Sequence, residues 1–322
     1  MSDLVLVAVG GNALIRAGQA ASAQEQFEAA VDTAAAVVRL IRAGHKVVLT
    51  HGNGPQVGAQ LTRSELAAAH AYRLPLDCCV ACTQGEIGYV LQYAMWQMMQ
   101  AEGLNTPVVS LMTQVLVDPN DPAFRNPTKP IGPFYTKEVA ERYRDLFDWK
   151  IAEIGARGYR RVVPSPEPVA IIELEAIKAC VERGLVVIAG GGGGGPVFND
   201  HDITKGVEAV IDKDQTSAIL ARQLDADVFV IATDVDRVCL DYGRVTQRPM
   251  DRLTVSECRG YIASGQFPAG SMGPKISAAI KYLERGGSRA IITDHSHLVD
   301  AVAGHAGTSI VLDTPATQSS AA

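Results

Sequence analysis

Leu4-Val5-Leu6-Val7-Ala8-Val9-Gly10-Gly11-Asn12, at the start of the chain, and Lys46-Val47-Val48-Leu49-Thr50-His51-Gly52-Asn53-Gly54-Pro55, further along, decide the fold. Each is a short aliphatic run that stops at a glycine/asparagine turn. Runs this short, apolar throughout, suit strands buried on both faces of a parallel sheet. Glycines at the carboxyl end of a strand let backbone N–H groups approach an anion closely. Two such turns at the ends of two strands face the same crevice of an open parallel sheet, where ligands of such folds sit. Neither turn reads G-x-G-x-x-G or G-x-x-x-x-G-K-[ST]. Taken alone, the first is equally a plain tight turn, and His51 is either a general base or a residue that orients backbone.

Five further apolar runs follow: Pro107–Leu111, Leu185–Ala189, Val228–Ala232, Ala290–Thr293 and Ser309–Leu312. Between the strands lie helix-like stretches such as Gln24–Ala43, Gln215–Leu224 and Pro274–Arg285, and helix stops fall at Gly44, Gly184 and Gly286. Alternating strand and helix predicts an α/β fold with an open, mostly parallel β-sheet sandwiched by helices, three layers αβα. One stretch, 118–168, breaks the alternation, with prolines at both ends (Pro119 to Pro133, then Pro164 to Pro168) and Tyr143, Phe147 and Trp149 between them. It reads as an inserted lid subdomain, because so long a connection in a compact domain is usually functional or disordered. The Ser/Thr/Ala-rich end, 314–322, reads as a frayed tail.

The 322 residues are 47% apolar and 20% charged, enough for a sizeable core. Twenty-nine basic against 35 acidic side chains give a net charge of −6, and aromatics are only 6%. Neither a polyanion surface nor a base-stacking platform fits, so nucleic acid is an unexpected partner. No apolar run approaches the roughly 18 to 20 residues of a membrane span. Met1-Ser2-Asp3 has no basic region ahead of the first strand, which argues against a signal peptide. Six cysteines are too few for a disulfide scaffold, and a cytoplasmic address is expected.

Several stations could carry chemistry. Lys129 stands in the stiff loop Asn126-Pro127-Thr128-Lys129-Pro130-Ile131-Gly132-Pro133, presented as a cation or simply solvated. Gly190 to Gly195 form an unbroken glycine run, read as a flexible turn that is either a phosphate approach or a crossing point. Lys213, between Asp212 and Asp214 at a helix mouth, could stabilise phosphoryl charge with Asp214 orienting it, or form a surface salt bridge. Thr233, Asp234 and Asp236 follow a strand, with Tyr242 downstream, and the loop Ser271-Met272-Gly273-Pro274 delivers Lys275 to a helix start. Cys78, Cys79 and Cys82 lack a matching Cys or His pair and read as buried thiols; His295-Ser296-His297 reads as a surface loop. The helix predicted over 83–102 carries more apolar surface than one buried face needs, which fits a homodimer interface or a plain core helix.

Taken in order, Gly10–Asn12, His51-Gly52-Asn53-Gly54-Pro55-Gln56-Val57-Gly58, Thr83-Gln84-Gly85, Asn126–Pro133, Val162-Val163-Pro164-Ser165-Pro166, Gly206–Asp214 and Ser271–Lys275 closely resemble the carbamate kinase branch of the amino acid kinase family. The resemblance runs from about residue 4 to 312. Acetylglutamate kinases typically carry a lysine on the first strand, and Leu4–Val9 has none. The resemblance implies reversible transfer, ATP plus carbamate giving ADP plus carbamoyl phosphate, run toward ATP in arginine, agmatine or purine catabolism. It implies an N-terminal lobe, 1–184, for carbamate and a nucleotide lobe, 185–313. Gly10, Gly11, Asn12, Gly52, Asn53 and Gly54 would cradle the substrate; Lys129, Lys213, Lys275 and Asp214 would be catalytic. Thr233, Asp234, Asp236, Tyr242, Met272, Gly273 and Pro274 would form the nucleotide side. Mg²⁺ would be held mainly by phosphates and not by protein ligands, and a homodimer is implied. The competing readings are a kinase for another small carboxylate, a non-catalytic nucleotide or anion sensor, and an NAD-binding protein, the last disfavoured because no G-x-G-x-x-G follows a strand.

Overall fold

A computed structural model describes residues 2–10, 22–201, 203–268 and 270–313. Leu4–Val9 is a central strand, hydrogen-bonded in parallel to Lys46–His51 on one side and to Val228–Ala232 on the other. Across the eight-stranded sheet the order is Arg252–Thr254, Thr308–Val311, Arg289–Thr293, Val228–Ala232, Leu4–Val9, Lys46–His51, Val186–Ile188, Val108–Ser110. Every pairing is parallel except Arg289–Thr293 with Thr308–Val311. All seven predicted strands lie in this sheet; Arg252–Thr254, an edge strand, was not predicted.

Alternate residues of each strand face opposite layers. Leu6, Ala8, Val48, Phe229 and Ile231 pack against helices Lys213–Gln223 and Met272–Glu284. Val5, Val7, Val9, Leu49 and Val230 pack against helices Ala23–Arg42 and Leu76–Ala101. Burial on both faces is why these strands read as unbroken aliphatic runs. The chain leaves the central strand toward Lys46–His51 and later returns on the other side at Val228–Ala232, so the strand order reverses at Leu4–Val9. At that switch point the carboxyl ends of three neighbouring strands splay apart and leave a crevice.

The insertion is an independent layer. Lys129–Tyr135, Tyr159–Val163 and Ile151–Glu153 form an antiparallel three-stranded sheet, covered by helix Lys137–Phe147. Its small core, Ile131, Trp149 and Val163, is continuous with Val57, Leu61, Leu76 and Val80 of two main-body helices. The subdomain therefore sits on the mouth of the crevice by apolar packing. At the closest approach a Cβ on Gly58 would stand 2.7 Å from the Cα of Gly132, so the contact needs a glycine at 58; Gly132 is favoured instead by its φ of +72°.

Three expectations are corrected. The glycine run is no flexible turn: Gly190 to Gly194 are buried, with a tight helical turn at Gly191–Gly193. It leads into an antiparallel hairpin, Gly195–Asp200 with Ile203–Gly206, for which the sequence raised no expectation. The helix expected from 83 begins at Leu76, after Pro75, so the cysteine cluster falls in its first turns. Only Cys79 of the three is buried, with burial pushing its thiol up to about 11, while Cys82 is exposed. No helix among the described residues is long and apolar enough to cross a membrane.

Candidate active site

A cavity of about 510 Å³ occupies the crevice. Its floor is Gly10, Gly52, Asn53 and Gly54, at the ends of the first two strands, with Gly192 beside them. Helix Gly54–Leu66 opens there on Asn53, whose side chain does not cap it; the amide donates instead to Thr83 Oγ1 at 2.9 Å. Helix Met272–Glu284 opens on Ser271, also without a side-chain cap. Two uncapped helix N-termini thus point their positive dipole ends at one cavity, an arrangement suited to an anion, although Pro55 and Pro274 offer no N–H and the Gly273 N–H donates to the Pro268 carbonyl at 3.0 Å.

The third helix, Lys213–Gln223, is capped: Asp212 accepts from the Asp214 and Gln215 N–H groups. Its first turn supplies the charge cluster. Asp214 is buried and accepts from Lys213 Nζ at 2.5 Å through one oxygen and from Lys275 Nζ at 3.0 Å through the other. Burial alone would raise this carboxyl, but the two ammonium groups outweigh it and hold it well below the usual carboxylate range. Lys213 is pulled down by burial and by repulsion from Lys275, against the attraction of Asp214. One ionised carboxylate thus holds two cations side by side, leaving a net positive charge for an incoming anion.

Lys129 enters from the insertion. Its ammonium donates to the Ile211 carbonyl at 3.1 Å and stands 3.7 Å from Asp212 Oδ2, and burial lowers its pKa against the pull of Asp212 and Asp214. The structure therefore joins Lys129, Lys213, Asp214 and Lys275 from three distant parts of the chain in one cavity wall.

Next to this cavity is a smaller one of about 190 Å³, sharing Thr233, Asp234, Ser271 and Lys275 with it. Val235, Phe267 and Met272 give it apolar walls, and Tyr242 and Cys239 close it. Of the predicted nucleotide-side residues, Thr233, Asp234, Tyr242 and Met272 line this space and Pro274 lines the larger one. Asp236 and Gly273 line neither cavity; Asp236 is exposed, and Gly273 packs under the Pro268 carbonyl. Gly11 and Asn12 lie outside the described residues, as does the 314–322 tail.

His51, read as a base or as a residue that orients backbone, proves to be the latter, and two residues that the sequence did not single out for the site, His295 and Arg160, join it. His51 is buried, and its Nδ1 carries the proton because it donates to the Gly52 carbonyl at 3.0 Å. Burial lowers its pKa to about 4, so it stays neutral and braces the turn; it does not line the cavity and is no base. His295, expected on a surface loop, is half-buried in the cavity wall, with a buried Nδ1 that has no hydrogen-bond partner. Arg160, from the insertion, also lines the cavity. The periodicity of the chain carries no signal for either of the last two.

Comparison with known proteins agrees with this geometry. The model of the amino acid kinase family matches residues 3–294. A carbamate kinase of Pyrococcus furiosus is 46% identical over 314 residues, 97% of this chain and 100% of that protein. The carbamate kinase-like protein YqeA of Escherichia coli is also 46% identical over 314 residues, 96% of this chain and 99% of that protein. A solved structure of carbamate kinase from Giardia lamblia bound to AMP-PNP superposes with a TM-score of 0.91 at 40% identity, covering 97% of this chain and 99% of that one. The chain belongs to the amino acid kinase family. Within it, relatives at 43–46% identity include carbamate kinases and carbamate kinase-like proteins.

Proposed function

We propose that this chain is a carbamate kinase, moving a phosphoryl group reversibly between ATP and carbamate. The observation that carries the reading is the Asp214 carboxylate presenting Lys213 and Lys275 to a cavity that two uncapped helix N-termini face and Lys129 roofs. Carbamate is already ionised, so its oxygen needs no general base, and the neutral His51, which does not line the cavity, is not placed to act as one. The forming bond joins that oxygen to the γ-phosphorus as the bond to the β,γ-bridging oxygen breaks, and no proton has to move. The protein's task is alignment and neutralisation of charge.

Backbone N–H groups of Gly10, Asn53 and Gly54 hold carbamate in the 1–184 half; that of Gly52, expected among them, is already given to the Val9 carbonyl at 3.0 Å, so Gly52 contributes only the close approach of its backbone. Lys213 and Lys275 take the transferred phosphoryl oxygens, and the apolar pocket of Val235, Phe267 and Met272 in the 185–313 half takes the base. Among the described residues no three His, Cys, Asp or Glu side chains cluster as a metal site, and Asp212 and Asp214 are taken up by lysines. This donor set fits a Mg²⁺ carried by the nucleotide's phosphates, whose charge it would screen. The free thiols of all six cysteines fit a cytoplasmic enzyme.

The test is ATP formation from Mg-ADP and carbamoyl phosphate, with acetyl phosphate as a parallel donor. Fast ATP formation from carbamoyl phosphate alone is expected. Preference for acetyl phosphate would favour another small carboxylate, a reading kept alive by the equal identity to a carbamate kinase-like protein. Silence with both, from protein that binds ADP, would point to a sensor.

Lys129→Ala is expected to raise the KM for carbamoyl phosphate roughly 10-fold or more, the worth of a charged hydrogen bond, and to leave the KM for ADP nearly unchanged. Steady-state kinetics with each substrate varied in turn checks this, and equal weakening of both would remove Lys129 from the acceptor side.

A second copy of the chain covers helix Leu76–Ala101. Tyr89 and Trp96 on that helix are 70% and 59% exposed, and with Tyr93 they edge a groove of about 630 Å³. An aromatic patch of this kind on a soluble chain marks an association surface. Trp96→Glu is expected to convert a dimer to a monomer in sedimentation, and a wild type that sediments as a monomer would refute the assignment.

A further inference from the structure

We propose that Arg160 binds the acceptor directly, donating its terminal N–H groups to the carboxylate oxygens of carbamate or the carbonyl oxygen of carbamoyl phosphate. This rests on the reading above and adds a substrate-binding residue to it. Strand Tyr159–Val163 carries two adjacent arginines, which point to opposite faces. Arg161 turns inward, over the Trp149 ring at 4.9 Å, and pairs with Glu208 at 3.1 Å. Arg160 turns toward the cavity.

Its orientation is set by a bulge. Ile131 pairs with Arg161 and Tyr135 with Tyr159, so Gly132, Pro133 and Phe134 all stand opposite Arg160 alone. Bulges re-aim side chains and gather beside active sites. Here the freed Gly132 carbonyl accepts from Arg160 Nε at 2.9 Å, and the guanidinium lies 5.1 Å from the Phe134 ring centroid. The head is therefore fixed by its Nε edge, with the terminal nitrogens left over.

Those nitrogens have no acid to pair with among the described residues. Arg157 crowds the same ring at 4.8 Å and adds a second positive charge beside it. A half-buried guanidinium without a counter-ion, locked beside an anion cavity and on the same wall as Lys129, is poised for an oxyanion ligand. Lys213 and Lys275 serve the transferred phosphoryl from the opposite half of the chain. Arg160 and Lys129, on adjacent strands of the insertion, fall to the acceptor.

Three variants, Arg160→Ala, Arg160→Gln and Arg160→Lys, test this beside the wild type. The KM for carbamoyl phosphate is expected to rise roughly 10- to 100-fold in Arg160→Ala and Arg160→Gln. It should recover only in part in Arg160→Lys, and the KM for ADP should stay within about 2-fold throughout. Free guanidinium should partly restore Arg160→Ala. If Arg160 only braced the Gly132 loop, thermal stability and kcat would fall with no selective change in the carbamoyl phosphate KM, and that pattern overturns the proposal. A wild type inactive on carbamoyl phosphate would refute the parent reading instead. In that event inorganic phosphate is the probe: protection of the wild type against thermal unfolding that weakens in Arg160→Ala supports the anion role, and equal protection ends it.

Discussion

Lys213→Ala and Lys275→Ala are each expected to lower the rate of ATP formation by roughly 10²- to 10³-fold, about 2.7–4 kcal/mol of transition-state stabilisation. Both ammonium groups share one carboxylate, so each variant leaves Asp214 with a remaining partner. No buried charge is stranded, and the fold should hold. The loss falls on the transition state, because charge spreads over the equatorial oxygens of the transferring phosphoryl as the carbamate oxygen departs and the ADP oxygen attacks. The dipole ends of the two uncapped helices remain and should sustain residual turnover. Initial rates, with far-UV circular dichroism and thermal midpoints alongside, separate the two effects. Near-normal rates in both variants would remove the lysine pair from the mechanism.

The main sheet was legible because its signals are local. Leu4–Val9 and Val228–Ala232 match their predicted bounds, since an aliphatic run ended by Gly10 or by the polar Thr233 needs no distant information. Arg252–Thr254 was not legible: three residues at the sheet edge, two of them polar, are defined by their partner Thr308–Val311 and not by their own composition. The hairpin after the glycine run fails for the same reason, its strands being polar toward Asp200 and fixed by mutual pairing.

The site divides along a similar line. Lys129, Lys213 and Lys275 sit in short motifs with stiff or helix-opening neighbours, so each could be named before its partners were known. That one carboxylate, Asp214, holds two of them is a fact of folding, since Lys213 and Lys275 reach it from different helices. Arg160 and Arg161 are indistinguishable as sequence. Pairing across the bulge sends one to Glu208 and the other to the cavity. His295 becomes a wall residue only because the end of strand Arg289–Thr293 lies beside Thr233 and Asp234.

The glycine run misleads through composition: six glycines imply freedom, yet packing removes it. Gly193 has φ of +92°, and a Cβ there would stand 2.4 Å from the Ile211 carbonyl oxygen. That oxygen accepts from Lys129, and the next residue, Asp212, caps the helix that begins with Lys213. The Gly193 carbonyl in turn accepts from Thr216 Oγ1 of that helix at 2.8 Å. Gly193→Ala is therefore expected to combine left-handed strain with overpacking, about 2–5 kcal/mol of lost stability. In the fraction that folds, a shift of the Ile211–Lys213 segment by ~1 Å should cost roughly 10² in turnover, through misplacement of Lys129 and Lys213. Gly195 is the internal control: its φ is ordinary, and a Cβ would meet only the Thr113 carbonyl oxygen at 3.7 Å. Gly195→Ala should unfold and turn over nearly as the wild type does. Urea unfolding and initial rates on the two variants decide the matter, because a merely flexible run would tolerate alanine equally at both positions.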